Sequence, residues 1–363
     1  MSMETILGCR IVVCAGSGGV GKTTVSAAIA LEAARRGRKT IVVTIDPAKR
    51  LANALGLKEL SNEPRRIPVR KFTDAGLEPA PLYAMMLDTK RTFDELVVRY
   101  AKGPAQARRI IDNRLYQAIS GALSGTHEYM AMEKLYELDL EGTYDLIVID
   151  TPPTRNALDF LEAPKHMSSF FEGKLLKWFL IPAIGGGRGL FRAVNFAAVQ
   201  FLKIVTRVVG ADVLKDTAEF AANFEGMYDG FKERAQAVYE LLRQPATAFV
   251  VVTTPHDQAV EEALFFATTL NRHRLPFGGL VVNRIHPHFE IALEEATGSP
   301  VLDRLVQLAG EFEQGRMRED RSLRRLEWEV PQDRWARIPY LSGEVADLPS
   351  LVGVAAYMFC LGR

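Results

Sequence analysis

The stretch Arg10-Ile-Val-Val-Cys-Ala-Gly-Ser-Gly-Gly-Val-Gly-Lys-Thr-Thr24 decides the fold of this chain. Its first six residues are apolar and largely β-branched after Arg10, which predicts a buried strand, and the glycines that follow predict a tight loop. The pattern G-x-x-x-x-G-K-[ST] spans Gly16–Thr23, and Lys22–Arg36 has a helical pattern. A strand, a glycine-rich loop and a helix in this order predict a phosphate-binding loop, because the backbone N–H groups at the helix start surround an anion.

Short apolar runs alternate with helical patterns along much of the chain. Strands are predicted at Arg10–Ala15, Thr40–Ile45, Pro81–Leu87, Asp145–Asp150, Ala246–Thr254 and Gly279–Asn283, with a last strand ending at Pro339. Parallel strands that helices cover on both faces are apolar throughout, rather than alternating. The pattern therefore predicts an α/β fold with a doubly wound, mostly parallel sheet, as in P-loop NTPases.

Residues 161–242 depart from this alternation and predict a helical insertion, so that residues 1–160 and 243–363 form the P-loop ATPase core. The insertion is rich in phenylalanine, leucine and valine, and a glycine cluster at Gly185–Gly189 divides it. Two interpretations of the apolar content stay open. The side chains pack into a core or a dimer interface, or they form a surface for a membrane or for a hydrophobic segment of another protein.

Composition excludes several classes of protein. The chain has 363 residues, and 45 Lys and Arg against 44 Asp and Glu give a net charge of +1, which argues against nucleic-acid binding. Its three cysteines, Cys9, Cys14 and Cys360, form no C-x-x-C pair, so we expect no disulfide framework and a cytoplasmic location. No apolar run is long enough for an integral membrane span.

The phosphate-loop motif and two strand ends supply the candidate site residues. The predicted nucleotide-binding residues of the loop are Gly16, Ser17, Gly18, Gly19, Val20, Gly21, Lys22, Thr23 and Thr24. Lys22 is expected to reach the β- and γ-phosphates of ATP, and the Thr23 hydroxyl to bind Mg²⁺. Asp150, at the end of a strand, is expected to hold Mg²⁺ through water. Asp46 follows another strand, where it can position the attacking water or cap a helix.

With these motifs in place, the chain resembles the arsenical-pump and tail-anchored-protein-targeting ATPases, which belong to the deviant-Walker, dimerising P-loop NTPases. Asp46-Pro-Ala48 is similar to the family's D-P-A-H switch I, and Asp150-Thr-Pro-Pro-Thr154 to its D-T-A-P-T switch II. Ile338–Val345 is similar to its V-P-x-x-x-x-E-V segment. The likeness extends over most of the chain.

The resemblance implies a dimeric Mg-ATPase whose partner is a second copy or a related ATPase. It also implies that Asn283 and Pro339 contact adenine. In the targeting branch of the family, the helical insertion forms an apolar groove that holds the hydrophobic helix of a client protein. The expected output is therefore binding and release of hydrophobic protein segments, controlled by the nucleotide.

Three departures from the family pattern affect this interpretation. Ser17 stands where the family has a lysine that crosses the dimer interface to the partner's nucleotide. Lys49-Arg50 replaces His-Asn, and Arg155-Asn156 replaces Gly-His. We expect that Arg155 or Lys49 supplies the missing charge as part of the catalytic site, or that a lysine-bearing partner does. A regulatory subunit of a hetero-oligomer therefore stays open.

A second alternative is the ATPase subunit of an anion or metalloid efflux system. Arsenite needs clustered thiolates, whereas Cys9 and Cys14 lie near the two ends of one predicted strand and Cys360 is distant in sequence. We expect these cysteines to be buried apolar residues.

Overall fold

The computed structural model describes residues 3–46, 50–120, 126–151, 220, 228–287, 299–341 and 343–359. The strands are β1 (Ile11–Ala15), β2 (Thr40–Thr44), β3 (Arg65–Arg66), β4 (Leu82–Met86), β5 (Leu146–Asp150), β6 (Thr247–Thr253), β7 (Phe277–Ile285) and β8 (Trp335–Pro339). The helices are α1 (Lys22–Arg35), α2 (Arg50–Ala54), α3 (Val69–Asp74), α4 (Thr89–Tyr100), α5 (Pro104–Ile111), α6 (Arg114–Ile119), α7 (Thr126–Glu141), α8 (Tyr228–Arg243), α9 (Asp257–Arg272), α10 (Pro300–Glu327) and α11 (Leu348–Phe359). Two short 3₁₀ helices, Met3–Gly8 and Gln332–Arg334, complete the described elements.

The strands form one sheet in the order β3-β4-β2-β5-β1-β6-β7-β8. All neighbouring strands are parallel except β3 and β4, which are antiparallel. The predicted α/β class with a mostly parallel sheet is therefore confirmed. Strand β3 was not predicted, because two exposed arginines carry no apolar pattern. Charged residues on a short strand are typical of a sheet edge, where they discourage pairing with other chains.

The centre of the sheet is buried on both faces. Every residue of β1, β2, β5 and β6 is buried, as expected for strands between two layers of helices. Helix α1 is also apolar on most of its surface, and it packs against the sheet and against α11. The helix that follows the phosphate-binding loop is thus enclosed by the core, which fixes the position of the loop at its N-terminus.

The chain divides into two compact units. The first contains the whole sheet and all the candidate site residues that the structure describes. The described residues of the second unit are 88–120, 126–133, 220 and 228–239. In that unit the Tyr116 ring lies 5.3 Å from the Phe93 ring, and its hydroxyl donates to Asp94 at 2.5 Å. The predicted insertion at 161–242 stays a prediction, because most of it lies outside the described residues.

Among the helices that the structure describes, none combines the length and the apolar character that a bilayer span requires.

Candidate functional site

The glycine-rich loop between β1 and α1 can be built only with glycine at its two ends. Gly16 has φ 153° and Gly21 has φ 99°, both in the left-handed region that favours glycine. A Cβ on Gly16 would lie 2.0 Å from the Val252 carbonyl oxygen of β6. A Cβ on Gly21 would lie 2.3 Å from Nδ2 of Asn283. The loop is therefore pressed against β6 and β7 and cannot accept a side chain at either position.

Lys22 begins α1 and turns its side chain back over this loop. Its Nζ donates to the carbonyl oxygens of Gly16 at 2.8 Å and Ser17 at 2.7 Å. The residue is only 7% exposed, and burial lowers the pKa of its ammonium group while the carboxylates of Asp150 and Asp46 raise it. A buried cation over a ring of backbone amides provides the charge that an anionic phosphate requires.

Asp150, at the end of β5, is the most enclosed carboxylate of the site. Its Oδ2 accepts hydrogen bonds from the hydroxyls of Thr23 and Thr44, both at 2.8 Å. It is 1% exposed, and burial raises its pKa to about 6, although the two hydroxyls and Lys22 oppose this shift. Its Oδ1 is buried and accepts no hydrogen bond from the described residues. An unsatisfied buried oxygen beside a threonine hydroxyl fits a hydrated Mg²⁺ ion.

Asp46 follows β2, the strand next to β5. Its N–H donates to Oγ1 of Thr44 at 3.2 Å, and its Oδ2 lies 3.7 Å from Nη1 of Arg50. The side chain is 18% exposed, far more than that of Asp150. The Thr44 hydroxyl therefore connects the two acidic positions: it donates to Asp150 and accepts from the backbone of Asp46.

Asn283 joins the end of β7 to the phosphate-binding loop. Its Nδ2 donates to the Val20 carbonyl oxygen at 2.9 Å, and its Oδ1 accepts from the N–H of Arg284 at 3.0 Å. This amide is consequently a clamp that holds the loop. Its predicted contact with adenine, and that of Pro339 at the end of β8, stay predictions.

Most of these groups line one open cleft, although Gly16 and Asp150 do not. Its volume is about 920 Å³, within the range of small-molecule sites. Of the predicted residues, Gly19, Gly21, Lys22, Thr23, Thr24, Asp46, Asn283 and Pro339 line it. The wall also contains Arg50, Thr151, Arg284, Tyr340 and Glu344. The loop, both strand ends and the residues after β7 and β8 thus meet at the carboxyl edge of the sheet, where ligands bind in such folds.

The outer side of the loop faces a second cleft, of about 700 Å³. Ser17, Gly18, Gly19 and Val20 line it, together with His256 and Glu262. The Ser17 hydroxyl is buried and has no hydrogen-bond partner among the described residues. The loop residues predicted as one binding set therefore face two clefts, and only Gly19 lines both. The other predicted catalytic cation, Arg155, lies outside the described residues, as does Lys49.

Sequence reasoning missed two threonines that support the site. Thr44 orients Asp150, and Thr151 donates its hydroxyl to the Cys14 carbonyl oxygen at 2.8 Å, which ties the exit of β5 to β1. The available signal was their position, because each lies at the carboxyl end of a buried strand. Threonine is also a favoured strand residue, so composition alone gave no reason to single them out.

Of the two cysteines that the structure describes, Cys14 is buried as predicted, whereas Cys9 is more exposed than predicted. Cys14 is buried within β1, and burial raises the pKa of its thiol to about 12. Cys9 is half-buried, and Cys360 lies outside the described residues. The described part of the chain contains no group of three metal-ligating side chains.

Several curated proteins are similar to this chain. An arsenical pump-driving ATPase 1 of Aquifex aeolicus is 24% identical over 308 residues, which cover 79% of this chain and 66% of the relative. An ATPase ASNA1 homolog of Babesia bovis is 26% identical, and the match covers 76% of this chain and 66% of the relative. ATPase GET3B of Arabidopsis thaliana is 27% identical, covering 75% and 63%. The matched part therefore spans just under two thirds of the length of these relatives.

The family assignment rests on a longer match than any of these relatives provides. The model of the anion-transporting ATPase family matches residues 9–358, which include the phosphate loop, both strand-end carboxylates and the segment after β8. This match confirms the resemblance that the motifs indicated. The chain belongs to the anion-transporting ATPase family.

Proposed function

We propose that this chain is a Mg-ATP-dependent ATPase that dimerises and uses its nucleotide state to bind and release hydrophobic protein segments. One observation carries the ATPase proposal. Lys22, Thr23 and Asp46 line the same cleft, and the Thr23 hydroxyl is bonded to the buried carboxylate of Asp150. This is the combination of cation, metal-binding hydroxyl and acidic groups that phosphoryl transfer requires.

Each side chain has a separate task in this proposal. The loop amides and Lys22 bind the phosphates, while Thr23 and Asp150 hold the magnesium ion, Asp150 through water. Bound Mg²⁺ neutralises negative charge on the β- and γ-phosphates. Asp46 accepts a hydrogen bond from the attacking water and orients it, because its carboxylate lies at the cleft wall and is accessible.

The hydroxyl of Thr44 gives a route by which the nucleotide affects both strand ends. Any change in the hydrogen bonds of Asp150 also changes Thr44, which accepts from the backbone of Asp46. Asp46 and Thr151 belong to the two segments that resemble switches, and the described part of each segment stops directly after them. We expect ATP binding and hydrolysis to shift these segments between two states, as the terminal phosphate does in related switches.

Dimerisation and client binding rest on different support. The resemblance implies a dimer, and the apolar composition of residues 161–242 is typical of a surface for hydrophobic segments. The charge of +1 and the absence of a membrane-spanning helix among the described residues are compatible with a cytoplasmic switch. Location and client class stay proposals.

The decisive experiment is steady-state ATP hydrolysis at increasing concentrations of the purified chain, with Mg²⁺ in excess. We expect specific activity to rise with concentration and then saturate, because a composite site forms only in the dimer. Lys22→Ala should abolish hydrolysis, whereas Lys39→Ala, a lysine outside both clefts, should not. Hydrolysis that is independent of concentration would contradict the composite site, and equal activity of Lys22→Ala would contradict the ATPase proposal itself.

Ser17 favours a second candidate function, the regulatory subunit of a hetero-oligomer. A serine provides no charge for a partner's nucleotide, and a missing cation of this kind costs about 10³–10⁵ in rate. Tight ATP binding with negligible turnover at every chain concentration, restored by a lysine-bearing relative, would support this function. The metalloid-efflux alternative would instead require stimulation by arsenite, which the buried Cys14 thiol does not favour.

A further inference from the structure

Arg284 occupies an unusual position between the two clefts. It directly follows the clamp residue Asn283. It lines both the cleft of about 920 Å³ that contains Lys22 and Thr23, here called the nucleotide cleft, and the second cleft beside Ser17. Its backbone has φ 62°, in the left-handed region that residues other than glycine rarely adopt. The register between β7 and β8 shifts at this residue, between Asn283 and Ile285. Arg284 is therefore the extra residue of a β-bulge.

The hydrogen bonds around the bulge maintain this conformation. The Arg284 N–H donates to Oδ1 of Asn283, whose Nδ2 is bonded to the phosphate-binding loop. On the other side, the N–H of Tyr340 donates to the Ile285 carbonyl oxygen at 2.9 Å. Bulges near sites commonly redirect a side chain, and backbone strain persists where neighbouring bonds enforce it. Arg284 has both features, because it is the extra residue of the bulge and hydrogen bonds enforce its strained backbone.

The guanidinium of Arg284 differs from the other cations of the cleft wall. Lys22 is bonded to loop carbonyls, and Arg50 is near the Asp46 carboxylate. Arg284 is exposed, and its guanidinium makes no hydrogen bond or ion pair with any residue that the structure describes. The carboxylates of the two cleft walls are Asp46, Glu344 and Glu262. An arginine with five unused donors beside a phosphate-binding loop is suited to bind phosphate oxygens.

We propose that Arg284 contacts the nucleotide bound by the loop of its own chain, with its guanidinium donating to the phosphate oxygens. The contact explains why a strained bulge with a long basic side chain lies at the junction of the clefts. It also supplies a positive charge at the site from a residue that the sequence motifs do not include. This inference rests on the proposed ATP binding, which it extends to a further binding residue.

The chain provides a matched control for the test. Arg274, in the turn between α9 and β7, is also an exposed arginine with left-handed backbone (φ 55°), and it lines neither of the two clefts. Arg284→Gly and Arg274→Gly each remove an arginine and replace it with the residue that best tolerates this backbone. Neither substitution is therefore expected to unfold the chain, and thermal melting of both variants checks this.

The measurement is the affinity for Mg-ATP and Mg-ADP by titration calorimetry, at several salt concentrations. For Arg284→Gly we expect affinity to fall about tenfold or more, as for loss of a charge-assisted hydrogen bond. The dependence on salt should also weaken, because one ionic contact is lost. Arg274→Gly should match wild type, and Arg284→Lys should recover part of the affinity.

The outcomes separate this inference from the proposed function. Wild-type binding with an unchanged affinity in Arg284→Gly would overturn the role of Arg284 and leave the ATPase proposal intact. A fall in affinity with an unchanged salt dependence would also overturn it, because a structural effect would then account for the loss. A wild-type chain that binds neither nucleotide would overturn both the role of Arg284 and the ATPase proposal.

Discussion

Two neighbouring strand ends of this protein carry acidic residues in contrasting environments. Strands β2 and β5 are parallel neighbours, with Thr44 opposite Asp150. Asp150 is buried and its Oδ2 accepts two hydroxyl hydrogen bonds, whereas Asp46 is accessible and has a distant ion pair with Arg50. Exposed pairs of this kind contribute little to stability. One carboxylate is thus fixed by the core, and the other lies at the cleft wall, partly open to what binds there.

The two environments suit the two carboxylates to different roles, one in holding a metal ion and the other in the reaction. A carboxylate fixed in position is suited to orient the water shell of a metal ion, because its position is set before binding. An accessible carboxylate is suited to orient a water molecule during the reaction. The two environments therefore predict that substitutions at the two strand ends affect different measured quantities.

The largest effect is expected for Asp46→Asn. The proposed role of Asp46 in orienting water predicts a fall in the hydrolysis rate of about 10²–10⁴-fold. The affinity for Mg-ATP should change little, because the loop and Lys22 provide that binding. Single-turnover hydrolysis and nucleotide titration measure the two quantities. A normal hydrolysis rate in Asp46→Asn would contradict the proposed difference in role between Asp46 and Asp150.

The second prediction concerns stability and pH, in nucleotide-free and Mg-free buffer. Burial raises the pKa of Asp150 from 3.8 to about 6, so ionisation costs more in the folded state than in the unfolded state. Its contribution to stability is therefore complete below pH 3.8 and is lost as pH rises through about 6. The shift corresponds to a loss of about 3 kcal/mol.

The measurement is urea unfolding of wild type and Asp150→Asn between pH 4 and 8. Any constant difference between the two chains reflects the substitution itself. Any part of the difference in unfolding free energy that increases in favour of Asp150→Asn as pH rises through about 6 reflects ionisation of Asp150 in wild type. Parallel stability curves over this range would contradict the raised pKa.

The third prediction concerns the magnesium ion. Asp150→Asn should weaken the affinity for Mg²⁺ by about 10–100-fold, as is typical when a residue that orients metal-bound water is replaced. Nucleotide binding by this variant should therefore require a correspondingly higher Mg²⁺ concentration. Asp145→Asn is the matched control, since Asp145 directly precedes the same strand at its opposite end and accepts from the Lys39 N–H. Equal Mg²⁺ requirements in the two variants would contradict the role of Asp150.

Much of this site could be predicted from the sequence, because it depends on local patterns. The loop glycines, Lys22 and Asp150 stand at fixed positions relative to apolar strands, and the structure brings them together as those positions require. The clamp between Asn283 and Val20 depends instead on β7 passing beside the loop, which no local pattern encodes. The bulge at Arg284 and the division of the loop between two clefts are likewise set by tertiary pairing.

The place of β1 in the sheet has a consequence for how the protein folds. This early strand pairs with β5 on one side and β6 on the other, both of which come much later in the chain. Until they are synthesised, β1 is an apolar strand with two open edges, which is the kind of segment that aggregates. We therefore expect slow folding that begins elsewhere, with the phosphate-binding loop among the last parts to form although it is made before β5 and β6.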